Sequence, residues 1–228
     1  LAAAQERIEQ AEQQALDLQL QREAGGDDLQ TLEDALRVQR DQALQLLRTA
    51  LRLYSPADGR EQLVDVQFRL AYLSLKQQDA WGALSIAELL ARQNRGTEIG
   101  LRSAAIALNA YSDLLQSSGA SAKSELVEHL EPFARYLMTV WPTSTEASAA
   151  ASAIVQLSLV AGDVEKAESF LAQLPENNAL AAKLRRELGI KLFEEYLEAK
   201  KDESIEAAQV EQLRSKALSS LEAGCRSL

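Results

Sequence analysis

The sequence predicts an all-α chain, with about ten helices stacked as antiparallel hairpins into an α-solenoid. The phrase Leu73-Ser74-Leu75…Asp79…Ala83 returns as Leu157-Ser158-Leu159…Asp163…Ala167, 84 residues later. Each copy falls where one helical pattern breaks and another starts, so each marks the bend of a helical hairpin. Ala110-Tyr111-x-x-Leu114 likewise echoes Ala71-Tyr72-x-x-Leu75 at an offset of 39. A recurring hairpin cannot bury its apolar face alone and stacks on its neighbours to do so. Glycine (10) and proline (4) are scarce among 228 residues, and no run of alternating β-branched residues reads as a strand.

Residues 1–23 place Ala4, Ile8, Ala11, Ala15 and Leu18 on one helical face. Gly25-Gly26 breaks that helix, and Asp27 or Asp28 can cap the next by accepting its free N–H groups. The second helix, 29–54, carries Leu29, Leu32, Leu36, Ala43, Leu46, Leu47, Ala50 and Leu53 at heptad-like spacing. Such a seam serves either an antiparallel hairpin capping the array or a coiled-coil arm that dimerises the chain.

Ser55-Pro56-Ala57-Asp58 is a helix-start signal, with Ser55 as cap, Pro56 in the first turn and Asp58 at the positive helix end. The helix over 57–77 bends through Gln78-Asp79 into one ending near Asn94. Gly96 suits a left-handed residue after that helix and Thr97 the next N-cap, opening a helix over 98–117. Ser117-Ser118-Gly119-Ala120-Ser121 reads as a longer loop. In the helix that follows, Pro132 predicts a kink or a fresh start, because its ring meets the Glu128 carbonyl. That helix ends at Trp141-Pro142, and Thr143-x-x-Glu146 is a capping box for the next. Gly162-Asp163 bends the chain into a helix ending near Pro175. Helices over 177–200 (Leu180, Leu184, Leu188, Leu192, Tyr196) and 203–224 (Val210, Leu213, Ala217, Leu221) complete five hairpins. The expected organisation is a single helical-repeat domain over 1–228. It comprises an N-terminal hairpin at 1–54, repeats at 55–175 and a C-terminal hairpin at 176–228.

Charge narrows the partners. The formal net charge is −10, with 24 basic and 34 acidic residues. By segment the balance is −4 for 1–60, −1 for 61–122, −4 for 123–175 and −1 for 176–228. No segment is net basic, so the phosphate-neutralising stripe of a nucleic-acid binder is missing, and generic duplex should not bind at physiological salt. An anionic membrane surface would repel the chain. No apolar run approaches the ~18 residues of a membrane span. The single cysteine, Cys225, excludes an intrachain disulfide and any cysteine-based zinc cluster. Leu221-Glu222-Ala223-Gly224-Cys225 has the letters of a lipobox but not its N-terminal place, so Cys225 is taken as incidental. The sequence opens on Leu1 rather than methionine, so the expectation is that upstream sequence has been removed, with localisation leaning to the bacterial envelope.

Two hairpins carry enough placed residues to compare with a family. Leu70-Ala71, Gln78-Asp79-Ala80 and Ala83 form one set; Ile154, Gly162-Asp163-Val164, Ala167 and Leu171 form the other. Both resemble the tetratricopeptide repeat (TPR), in which a small residue sits where two helices cross and glycine or aspartate sits at the bend. Phe133-x-x-x-Leu137-x-x-x-Trp141-Pro142-x-Ser144-x-x-Ala147 is similar to a phrase of bacterial envelope TPR proteins. The resemblance covers about 61–175 and is to the TPR-like superfamily, since the hairpin offsets of 39 and 45 exceed the family's ~34. It implies a right-handed superhelix whose concave face binds a peptide or helix of a partner protein.

No chemical constellation stands out. His129 sits among Glu125, Glu128 and Glu131, a solvated helix face without three ligands at metal geometry. One His and one Cys far apart support no nucleophile pair, and no glycine-rich phosphate loop is present. Glu194, Glu195, Glu198, Asp202, Glu203 and Glu206 alternate with Lys191, Lys200 and Lys201 as a salt-bridged surface. Lys183, Arg185, Arg186 and Lys191 are interrupted by Glu187 and read as surface too. The expected function is therefore a non-catalytic interaction or scaffolding module without cofactor or metal, binding an unknown protein or peptide. Aligned on the TPR pattern, Asp65, Phe68, Tyr72, Leu75, Lys76 and Tyr111 face the concave side, with Glu88 and Arg92 on an inert convex face. The other reading of Phe68 and Tyr72 is plain packing between hairpins. A structural protein self-associating as a homodimer through the Leu29–Leu53 seam is the alternative function, and carboxylate or metal chemistry in the groove a third.

Overall fold

The computed structural model describes residues 2–24, 29–55, 57, 59–174, 179–202 and 204–226. The elements in order are α1 (Ala2–Ala24), α2 (Leu29–Leu53), α3 (Arg60–Lys76), α4 (Ala80–Gln93) and α5 (Glu98–Ser117). They continue as α6 (Ala120–Val140), α7 (Thr145–Ala161), α8 (Val164–Leu171), α9 (Ala179–Ala199) and α10 (Ala207–Arg226). Among the described residues there is no strand, so the chain is all-α. It divides into two compact units, Leu1–Gly119 and Ala120–Leu228, where the sequence suggests one domain over 1–228. The division falls in the Ser/Gly/Ala stretch, whose loop is shorter than expected. Ser117 stays in α5, with the Ser118 N–H donating to the Leu114 carbonyl (2.9 Å), and α6 begins at Ala120.

In the first unit α1 pairs with α2 and α2 with α3. Ala11, Leu18 and Leu36 form one apolar cluster, with Ala15, Leu29 and Leu32 at its edge. Ile8, Ala43, Leu44 and Leu47 form another with Val66, Leu70 and Leu73 of α3. Much of the heptad-like face of α2 is thus buried within its own unit, while Leu46 and Leu53 stay 38% and 76% exposed. Gly25-Gly26 and the caps Asp27 and Asp28 lie outside the described residues. So do Pro56, Asp58, Pro175 and Glu203. The helix expected from residue 57 begins at Arg60 instead, because Gly59 has φ +88°, a left-handed conformation no helix contains. Ser55 accepts a bond from the Ala57 N–H (3.4 Å), closing a local turn.

The α3–α4 and α7–α8 bends are built alike. Asp79 N–H donates to the Ser74 carbonyl (2.9 Å) and Asp163 N–H to the Ser158 carbonyl (2.8 Å). The residue before each aspartate is left-handed, Gln78 at φ +62° and Gly162 at φ +77°. The Asp79 carboxylate then caps α4 by accepting from Gly82 N–H, and Asp163 caps α8 by accepting from Lys166 N–H, both at 3.0 Å. Four residues further on, Ala83 and Ala167 are fully buried, as close helix crossings require. The packing repeats as well: α5 rests on both α3 and α4, and α9 rests on both α7 and α8. Gly96 is left-handed (φ +73°), and Thr97 caps α5 through Gly100 N–H (3.2 Å).

In the second unit α6 runs unbroken through Pro132, which is exposed. Its other face buries Leu126, Leu130, Phe133, Ala134 and Leu137. Ser144, not Thr143, caps α7, accepting from Ala147 N–H at 3.0 Å. The reason is a turn over Pro142-Thr143, closed by Ser144 N–H on the Trp141 carbonyl (3.0 Å), which delays the helix by one residue. The α8 helix ends at Leu171 rather than near Pro175, and tight turns carry Gln173 and Leu174. Asp202 accepts from Ser204 N–H (2.9 Å) and Oγ (2.6 Å), which fixes a turn and starts α10 at Ala207 instead of 203.

Candidate functional site

The α3 helix carries Asp65, Phe68, Arg69, Tyr72 and Lys76 at spacings of three and four residues, so they share a face. Asp65 accepts both bonds of a forked contact from Arg69 Nε (2.8 and 3.0 Å). Phe68 is half-buried, and the Arg102 guanidinium from α5 lies 4.9 Å from its ring centre. Lys76 Nζ lies 5.5 Å from the centre of the Tyr72 ring. A cation over an aromatic face is held by the ring quadrupole, by about 0.5–1 kcal/mol at an exposed site.

Tyr72 is half-buried against the core that joins α1, α2 and α3. Burial raises its phenol above the usual range, and the adjacent Glu12 charge and hydrogen bond add to that, while Arg40 opposes it. Arg40 in turn donates to the Lys76 carbonyl (3.3 Å), and burial lowers its own pKa. Glu12, the α3 residues and Arg102 thus bring α1, α3 and α5 to one surface. Four of the sequence-predicted site residues, Asp65, Phe68, Tyr72 and Lys76, are together on it, with Leu75 partly buried beside them.

Tyr111 is elsewhere. It is 2% exposed, and its hydroxyl donates to Glu88 Oε2 (3.0 Å) across the α4–α5 contact. Glu88 also accepts from Arg92 (2.6 Å), so this pair, expected on an inert outer face, helps hold α5 against α4. Burial, reinforced by Glu88, pushes the Tyr111 phenol far above its ordinary range. The shared Ala-Tyr-x-x-Leu phrase does not set two tyrosines side by side, because α5 packs on two helices and turns Tyr111 toward α4. Replacing Tyr111 with phenylalanine should lower stability by about 1–2 kcal/mol, measured by urea unfolding, since a buried bond to a charged acceptor is lost.

The second unit has a surface that the sequence reasoning missed. Gln156, Leu159 and Val160 of α7 and Glu187, Ile190 and Lys191 of α9 line a groove of about 460 Å³. Val160 is 88% and Ile190 53% exposed. The signal was available, since the 84-residue register carries Tyr72 onto Gln156 and Lys76 onto Val160. The same register puts Ser152, which is buried, at the place of Phe68, so the two faces differ in chemistry.

His129 is exposed on α6. Its neighbour Glu131 accepts from Arg135 (3.0 Å) and Lys166 (3.2 Å) and, although partly desolvated, is held below the usual carboxylate range by them. Among the described residues no group of three or more His, Cys, Asp and Glu side chains is placed to hold a metal. No helix among them is long and apolar enough to cross a membrane. The chain matches no family model, and neither curated proteins nor solved structures show a match to it.

Proposed function

We propose that this chain is a TPR-like helical-repeat module that binds a peptide or helix of a partner protein and carries out no catalysis. The observation that carries this is the recurrence of one bend at an 84-residue register, in each case within the same three-helix packing, α3–α4–α5 and α7–α8–α9. In repeats of this kind one helix of each hairpin, here α3 in the first unit and α7 in the second, offers side chains to a ligand. The α3 surface supplies two half-exposed rings beside cations, a combination that recognises peptides because rings contribute area with little rotamer loss. Self-association through α2 is the second reading, and the exposure of Leu46 and Leu53, seven residues apart, favours it.

Selection of peptides from a random display library on the full chain tests the proposal. Selected peptides should bind with micromolar affinity and lose about tenfold when Phe68 and Tyr72 are both changed to serine. Failure to enrich any peptide, with a molar mass in solution of two chains that falls to one on Leu53→Glu, would replace it by the self-association reading.

A further inference from the structure

The binding reading leaves the chemistry of the ligand open, and charge on the α3 surface narrows it. Arg37, Arg69 and Arg92 in the same unit each hold a carboxylate within one helical turn. Lys76 and Arg102 do not: among the described residues neither enters an ion pair, and each lies over a ring instead. Of the carboxylates on this surface, Asp65 is engaged by Arg69, and Glu12 lies beside Tyr72. Arg40 points its Nη1 at the Lys76 carbonyl. Two unpaired cations therefore flank two rings in a chain whose net charge is −10.

We infer that this surface takes an extended acidic peptide segment, an assignment that rests on the interaction-module reading above. Phe68 and Tyr72 are four residues apart on a helix, or about 6 Å along its axis. Alternate side chains of an extended strand project to one side about 6.6–6.8 Å apart. Carboxylates two residues apart in the ligand then meet Arg102 over Phe68 and Lys76 over Tyr72, while the side chains' methylene groups rest on the rings. Net repulsion from the rest of the chain is screened beyond roughly 8–10 Å at physiological salt, so the local cations decide the contact. Arg102 offers a planar fork to one carboxylate and Lys76 a point charge to the other.

The test uses the full chain and three fluorescent peptides, each about ten residues long and alternating alanine with glutamate, glutamine or lysine. Fluorescence anisotropy should show binding of the glutamate peptide, weakening as salt rises, and none of the lysine peptide. The glutamine peptide should bind at least about tenfold more weakly. Lys76→Gln and Arg102→Gln should each reduce glutamate-peptide affinity by about tenfold with unchanged circular dichroism, and the double variant should abolish it. Equal binding of the glutamate and glutamine peptides, no binding of the glutamate peptide, or full affinity in the double variant would overturn the inference. In those cases enrichment of neutral or basic sequences from the display library would leave the interaction-module reading standing.

Discussion

Phe170→Ala should destabilise the second unit by about 3–5 kcal/mol, the loss expected for a large buried ring. Phe170 has no exposed surface, and the Arg135 guanidinium of α6 lies 4.5 Å from its ring centre. Its helix, α8, is only eight residues long, far below the length at which a helix stands alone in water. It is held by Ala167, Phe170 and Leu171 on its buried face and by the Asp163 cap. The Lys166–Glu131 and Lys216–Glu168 pairs also tie it to α6 and α10, but such partly exposed pairs contribute little. Removing the ring therefore takes away most of what fixes α8. Urea unfolding of the full chain should show a lower midpoint, and hydrogen exchange should show α8 opening first.

Gly224→Leu should be nearly as damaging, because it forces apart the α9–α10 pair. A Cβ at Gly224 would stand 2.5 Å from Arg186 Cγ and 2.9 Å from both the Ala182 carbonyl oxygen and the Arg186 nitrogen. The last two are backbone atoms and cannot step aside. Gly189 faces the same problem from α9, where a Cβ would lie 2.9 Å from the Leu221 nitrogen. Alanine at Gly224 gains about 1 kcal/mol of helix propensity, yet overpacking of about 1–3 kcal/mol outweighs it. Leucine should reach the top of that range or exceed it. Gly119→Ala is the control, since a Cβ there meets nothing within 4 Å and stability should not change.

What the sequence made legible was mostly local. The bends at Gln78-Asp79 and Gly162-Asp163, the left-handed Gly96 and the Thr97 cap depend on backbone chemistry within four residues, and the pattern of residue types discloses them. Helix positions followed from apolar spacing for the same reason. What depends on a second element was hidden. Tyr111 faces α4 only because α5 packs on two helices at once. The glycines at 189 and 224 look like helix weaknesses until the α9–α10 contact shows what they leave room for. Of the predicted surface, Asp65, Phe68, Tyr72 and Lys76 share one helix and could be grouped by period. Arg102, Glu12 and Arg40 come from three other helices and could not.

The central claim is that the α3–α4 and α7–α8 hairpins are copies of one unit, with one bend geometry and different residues in it. The measurement that tests it most directly is hydrogen exchange at the Asp79 and Asp163 amides, whose bonds to Ser74 and Ser158 close the two bends. Gln78→Gly should relieve a left-handed strain of about 1 kcal/mol and slow exchange at Asp79 by roughly fivefold. Gly162→Gln should introduce the same strain and speed exchange at Asp163 by a similar factor. Opposite shifts of comparable size would mean that the two bends are one motif. Changes of the same sign, or no change at Asp163, would mean that the two hairpins are not copies.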